Sequence, residues 1–232
     1  MIRLDRDGSV ATIAMCDRAR DNAITHPMVA ELEAAFVDAR SANAIVLAGL
    51  PDVFSTGAAR EVIDDLATGR RDSGELLLPR LLLDAPVPVI AAMAGYAIGG
   101  GFALGLAADL IVLAAEQRYT LNFLDLGFTP GMGTTRLCEH VLSPAIAHEL
   151  LFTCEARRGR DFARTGVNHV VPSSEVLAKA TDLAHRIADK PRAAVIALKR
   201  TLSLPRRQLF ELARTHETLM HAQFFSRRPE TP

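Results

Sequence analysis

Apolar and polar positions in the first fifteen residues follow a strand period. Ile2-Arg3-Leu4 alternates, Asp7-Gly8 supplies a turn, and Val10 to Met15 reads as the second strand of a hairpin. Pro27 opens a helix with Val29, Leu32, Ala35 and Phe36 on one face. Two short continuous apolar runs follow, Ala44–Ala48 and Val89–Met93, and Asp109 to Ala114 reads as a third strand of the same kind. Each has the pattern of a strand buried on both faces. Phe54 to Ala58 is a turn into a helical stretch, residues 64–74 are polar and read as a mobile surface segment, and Leu76 to Leu83 is helical in character. Gly95 to Gly101 leads into an Ala/Leu-rich helix over 102–108. Strand, turn and helix in alternation predict an α/β chain with parallel pairing. Beyond about residue 136 the pattern is mainly helical, with one strand near Val167–Val171. A last helix over about 205–225 places Leu209, Leu212, His216, Leu219, Met220 and Gln223 along one stripe.

Composition narrows the class. In 232 residues, 49% hydrophobic and 23% charged content excludes a disordered chain, a coiled coil and a disulfide scaffold. Twenty-six basic against 27 acidic residues leave no electrostatic footprint for nucleic acid. Charges interrupt every apolar run before it could span a bilayer, and the first fifteen residues hold no apolar signal core, so no membrane partner is expected. Cys16, Cys138 and Cys154 lie in no metal or redox spacing, which suits a reduced, cytoplasmic setting. The histidines are scattered without ligand spacing, so no metal is expected.

Two loops carry the candidate chemistry. In Phe54–Ala58 and in Gly99-Gly100-Gly101, a strand ends in a glycine-bearing turn that starts a helix. Such a turn leaves backbone N–H groups without intrahelical partners. Two of them converging on one point form an oxyanion hole for a thioester enolate. The plainer alternative is a flexible turn or a close helix–strand contact. A dinucleotide site is excluded, because the G-x-G-x-x-G spacing is absent.

The run PVIAAMAGYAIGGGFALGLAADLIVLA, with FSTGA upstream and LGFTPGMGTTRL downstream, resembles the crotonase (enoyl-CoA hydratase/isomerase) superfamily over essentially the whole chain. The resemblance implies a spiral of ββα turns over residues 1–165 and a mainly helical oligomerisation region over 166–232, assembled as homotrimers or hexamers. It also implies oxyanion donors at the N–H groups of Ala58 and Gly100. Hydratases of the superfamily carry two glutamates; the matching positions here are Ala103 and Phe123. Without that pair, no carboxylate stands ready to activate water.

The segment YTLNFLDLGFTPGMGTT, with ETLMHAQFF in the last helix, resembles the decarboxylating crotonases of polyketide β-branching cassettes. That resemblance implies conversion of a 3-methylglutaconyl thioester on an acyl carrier protein to the 3-methylcrotonyl thioester. No cofactor is implied beyond the phosphopantetheine or CoA arm that arrives with the substrate. By resemblance His221 is a catalytic-site residue, and His216, on the expected apolar stripe, is its reserve; Glu217, one turn before His221, is placed to support a protonated ring. The subgroup's lysine and tyrosine are missing from residues 64–74, so Arg70 or Arg71 is the expected carboxylate clamp, with Tyr96 on the acyl pocket. Alternatives are an enoyl hydratase, dehydratase or isomerase, a combined dehydratase/decarboxylase, or a non-catalytic scaffold.

Overall fold

The computed structural model describes residues 1–68, 70 and 77–225. Six strands form the main sheet, in the spatial order β1 (Ile2–Asp7), β2 (Val10–Met15), β3 (Ala44–Ala48), β5 (Val89–Met93), β7 (Leu110–Ala114) and β10 (His169–Val171). Within this sheet only the β1–β2 hairpin is antiparallel among the described residues, and its other pairings are parallel. Four very short strands form a second sheet: β4 (Val53–Ser55), β6 (Tyr96–Ile98), β8 (Arg118–Thr120) and β9 (Arg157–Arg158). The helices are α1 (His26–Asp38), α2 (Arg60–Ala67), α3 (Leu78–Leu83), α4 (Gly100–Leu106), α5 (Thr134–Leu142), α6 (Pro144–Thr153), α7 (Val176–Ala188) and α8 (Arg192–Phe225).

The period of two sorts the apolar runs into two cores. Ile45, Leu47, Ala91, Met93, Ile111 and Leu113 join the main core with α1, α3 and α4. Their neighbours Val46, Ala48, Ile90, Ala92, Val112 and Ala114 face the other way, onto Val176, Ala180 and Ala184 of α7. The three runs predicted as doubly buried strands are β3, β5 and β7.

Several boundaries differ from the sequence reading. Asp64–Ala67 belong to α2 rather than to a surface segment, while Gly69 and residues 71–74 lie outside the described residues. The strands of the second sheet have two or three residues, too few to show a periodic pattern. Helix α4 starts at Gly100 itself, not at residue 102. Helix α8 begins at Arg192 and continues through Pro205. Its buried stripe is Arg206, Phe210, Ala213, Glu217 and His221, whereas Leu212, His216 and Leu219 face outward. Buried partners for Arg206, Glu217 and His221 turn the helix about its axis and override its apolar stripe.

One of those partners is Asp109, just before β7. Its carboxylate accepts from Val89 N at 2.8 Å, from Lys199 Nζ at 2.6 Å and from Arg206 Nη2. Lys199 also donates to Leu82 O at 2.9 Å, and Arg206 to the carbonyls of Ala107 and Ala108 at 3.1 and 2.6 Å. The Lys199 side chain is 1% exposed. Burial pulls its pKa down, and the Asp109 charge opposes that shift. This cluster ties α8 to the sheet. Asp109→Asn keeps the shape and leaves two buried cations without their anion, so stability should fall by ~3–5 kcal/mol. Urea unfolding with an unchanged m-value measures it; a loss under ~1 kcal/mol, the scale of an exposed pair, would show the tie to be unimportant.

Candidate active site

The first donor turn is shaped by the chain on either side of it. A parallel bridge joins Ile24 to Ala58, made by Ile24 N to Gly57 O at 2.7 Å and Ala59 N to Ile24 O at 3.0 Å. In a parallel bridge both bonds come from the flanking residues, so the N–H of Ala58 points away from Ile24. Gly57, at φ +84°, makes the reversal that an L side chain resists. Ser55 closes the turn by donating to Asn22 O at 2.8 Å and accepting from Gly57 N at 3.1 Å. Beneath it, buried Asn22 accepts from Asp17 N and donates to the carbonyls of Met15 and Phe54, at 2.8, 3.0 and 3.1 Å.

The second turn comes against the first backbone to backbone. A Cβ on Gly57 would lie 2.7 Å from Ile98 O and 3.2 Å from Gly100 N. Gly99, at φ +52°, caps α4, and a Cβ there would meet Asn122 Oδ1 at 2.9 Å. A Cβ on Gly101 would strike Ser55 O at 2.6 Å. Gly100 heads α4, so its N–H has no intrahelical acceptor. A Cβ at that position would stand 3.8 Å from Ala58 N. Thus close backbone or side-chain neighbours demand glycine at 99 and 101, while a Cβ on Gly100 would press on Met132 Sδ at 3.0 Å; Ala58 and Gly100 both line one narrow cavity of about 40 Å³.

Aliphatic and aromatic side chains of Ile63, Leu66, Phe123, Phe128 and Met132 wall that cavity. Its polar lining side chains are Thr56, Asn122, Thr129 and His221, and no Asp or Glu lines it among the described residues. A larger cleft of about 720 Å³ beside β7, α7 and α8 contains neither donor turn.

The wall at residues 129–135 is held by α8. Glu217, 2% exposed, accepts from Gly133 N at 2.8 Å and from Thr135 N and Oγ1 at 2.9 and 2.8 Å. It therefore caps α5 from another helix, satisfying donors that Gly133, lacking a side chain, cannot. Burial raises its pKa, and these three donors pull the other way. One turn later His221 is 5% exposed; its Nε2 lies 3.1 Å from Pro130 O and its Nδ1 3.1 Å from Thr129 Oγ1.

The remaining expected residues fall elsewhere. Arg70 is exposed and paired with Asp65 at 2.7 Å, and Asp65 also meets His26 at 3.0 Å; Arg71 lies outside the described residues. Tyr96 and Ala103 do not line the cavity: Ala103 is in the main core, and Tyr96 stands in β6 near Arg18 and Asp52. His216 is exposed on α8. The carboxylate oxygens of Glu217 accept from Gly133 and Thr135 at the start of α5. Asn22, Asn122 and Thr129 were missed; only the tolerance of Asp21-Asn22 for left-handed backbone hinted at the first.

Two glycine-bearing turns meet backbone to backbone over an apolar slot, on a spiral of strand–turn–helix units. The chain belongs to the enoyl-CoA hydratase/isomerase family, whose model matches residues 5–230. It is 35% identical over 226 residues to bacillaene synthase decarboxylase PksI of Bacillus subtilis (strain 168), covering 96% of this chain and 91% of that one. Among solved structures it resembles one from a dehydratase/decarboxylase enzyme couple involved in polyketide β-branching, with a TM-score of 0.91, 35% identity and coverage of 96% and 90%. It also resembles the ECH2 decarboxylase domain of CurF from Lyngbya majuscula, with a TM-score of 0.90, 33% identity and coverage of 99% and 95%.

Gly100→Pro removes the second donor at a helix position where proline is tolerated. Turnover should fall by at least ~10²-fold, the loss typical of one oxyanion donor, while circular dichroism reports the native fold. Near-normal turnover would place the donor elsewhere. Glu217→Gln turns an acceptor into a donor against either Gly133 N–H or Thr135, and should cost ~1–3 kcal/mol in thermal or urea unfolding.

Proposed function

We propose that this chain decarboxylates a 3-methylglutaconyl-type thioester carried by an acyl carrier protein, giving the 3-methylcrotonyl-type thioester. The observation that carries the reading is the pair of N–H donors, Ala58 and Gly100, facing a cavity without a carboxylate among its described lining residues. The likeness to PksI and to the CurF ECH2 domain supports the same chemistry.

In this reading the thioester oxygen sits between the two donors. The C–C bond to the carboxylate breaks, CO2 leaves, and the electron pair passes through the double bond to the thioester oxygen as a dienolate. The donors stabilise that charge as it forms. Ile63, Leu66, Phe123, Phe128 and Met132 keep water from the leaving carboxylate, whose loss of charge is favoured in a poorly solvated site. A proton then closes the γ-carbon, with His221 as its source. Phe123 fills the place of a hydratase glutamate, and buried Ala103 the place of the other. The phosphopantetheine arm is the only prosthetic group the chemistry calls for, and it belongs to the substrate.

Arg70 reaches the carboxylate only by leaving Asp65. Apolar side chains left exposed along α8, Leu198, Leu202, Leu204, Leu212 and Leu219, suit burial against further copies of the chain in a trimer or hexamer.

Purified protein given a 3-methylglutaconyl thioester should release CO2, and given crotonyl thioester should add negligible water. Mass spectrometry separates a loss of about 44 from a gain of about 18 mass units, the second requiring a water-activating base. Efficient hydration without CO2 release would overturn the proposal.

A further inference from the structure

The hydrogen bonds of His221 define its proton chemistry. Pro130 O is a carbonyl and only accepts, so Nε2 carries a hydrogen and donates to it at 3.1 Å. The other nitrogen, Nδ1, meets the hydroxyl of Thr129 at 3.1 Å. A hydroxyl both donates and accepts, so this contact suits either charge state of the ring. In the imidazolium, Nδ1–H donates to Thr129; in the neutral ring, Nδ1 accepts from it. Pro130 holds Nε2–H in both.

Thr129 also lines the cavity that holds the two oxyanion donors. The same turn carries Met132, whose sulfur would lie 3.0 Å from a Cβ on Gly100. His221 lines the same cavity, but Nε2 is engaged by Pro130 O and Nδ1 by the Thr129 hydroxyl, so a proton on Nδ1 has that hydroxyl as its hydrogen-bonded way out. Of the other polar side chains in the lining, Thr56 is turned to the main chain, its Oγ1 donating to Asp21 O at 3.3 Å.

We propose that Thr129 is a catalytic residue that relays the proton from His221 to the γ-carbon of the dienolate. The inference rests on the thioester-dienolate reading above. As the new C–H bond forms, the Thr129 O–H bond breaks, and the Nδ1–H bond of imidazolium His221 breaks to restore the hydroxyl. The electron pair of the dienolate ends in the C–H bond, the thioester carbonyl re-forms, and His221 is left neutral. The neutral ring has the tautomer that the Pro130 carbonyl selects, with hydrogen on Nε2 and a lone pair on Nδ1 towards Thr129. No co-reactant is needed beyond a proton regained from solvent.

The test uses the reverse of this step, which does not depend on CO2 loss. In D2O the wild type should exchange deuterium into the γ-methyl protons of 3-methylcrotonyl-S-pantetheine, followed by NMR. Thr129→Val, nearly isosteric, should slow exchange by ~10²-fold or more, as for loss of a general acid–base group. Thr129→Ser should stay within about tenfold, with both variants melting near the wild type. His221→Ala should lose a comparable factor, and the double variant little more, because the two groups act in one step. Exchange by Thr129→Val at the wild-type rate, losses that multiply in the double variant, or a wild type that exchanges nothing would each overturn the relay. A wild type that exchanges but releases no CO2 from the glutaconyl thioester would overturn the decarboxylase reading and leave the relay standing.

Discussion

The site depends on two stretches of main chain meeting with no side chain between them. Gly57 faces Ile98 O and Gly100 N so closely that a Cβ would come within 2.7 Å of the carbonyl. Only because the chain is bare there can the two turns come together backbone to backbone. Around this contact sits a fold that over-determines it. The Ile24–Ala58 bridge orients the first donor, buried Asn22 and Ser55 brace the turn below, and Gly101 against Ser55 fixes the start of α4. Main-chain donors held this way need no reorganisation when charge appears on a substrate oxygen, which is the condition for their full electrostatic effect.

The long helix α8 turns a sheet edge into an enclosed site. Three of its buried polar residues are joints rather than reagents: Lys199 and Arg206 fasten it to Asp109, and Glu217 caps α5. His221 lies one turn beyond Glu217, so the cap that orders residues 131–135 also sets the distance from the histidine to the cavity wall. A buried carboxylate in such a place looks like a catalytic acid or base from its sequence neighbours. Its three donors show it committed to holding the turn.

Removing both hydratase carboxylates changes which reactions the scaffold can run. An oxyanion hole without the carboxylate pair still stabilises an enolate but, among the described lining residues, has no carboxylate placed to add water across a double bond. A bond that breaks by itself, leaving its electrons in the enolate, is the chemistry such a slot still promotes. Phe123 contributes by packing edge-on to Phe128, ring centroids 5.8 Å apart, where a charged side chain would have drawn water in.

The sequence alone determined the parallel core and marked both glycine-bearing loops. Runs of five apolar residues have few other places to go in a chain of this composition, and the glycine motifs mark where the backbone must be bare. It also pointed to His221 and to the absence of carboxylates at 103 and 123. The tertiary structure decided the rest. The second sheet's strands of two or three residues exist because neighbours offer unpaired backbone, a requirement invisible locally. The stripe that α8 buries was decided by distant partners: Asp109 and the ends of the 129–135 turn draw in Arg206, Glu217 and His221 and leave Leu212, His216 and Leu219 outside. Thr129 acquires its place beside His221 from a contact 92 positions away in the chain. Periodicity records which face of a helix is apolar; which face is buried follows from the polar groups that must find partners once water is gone.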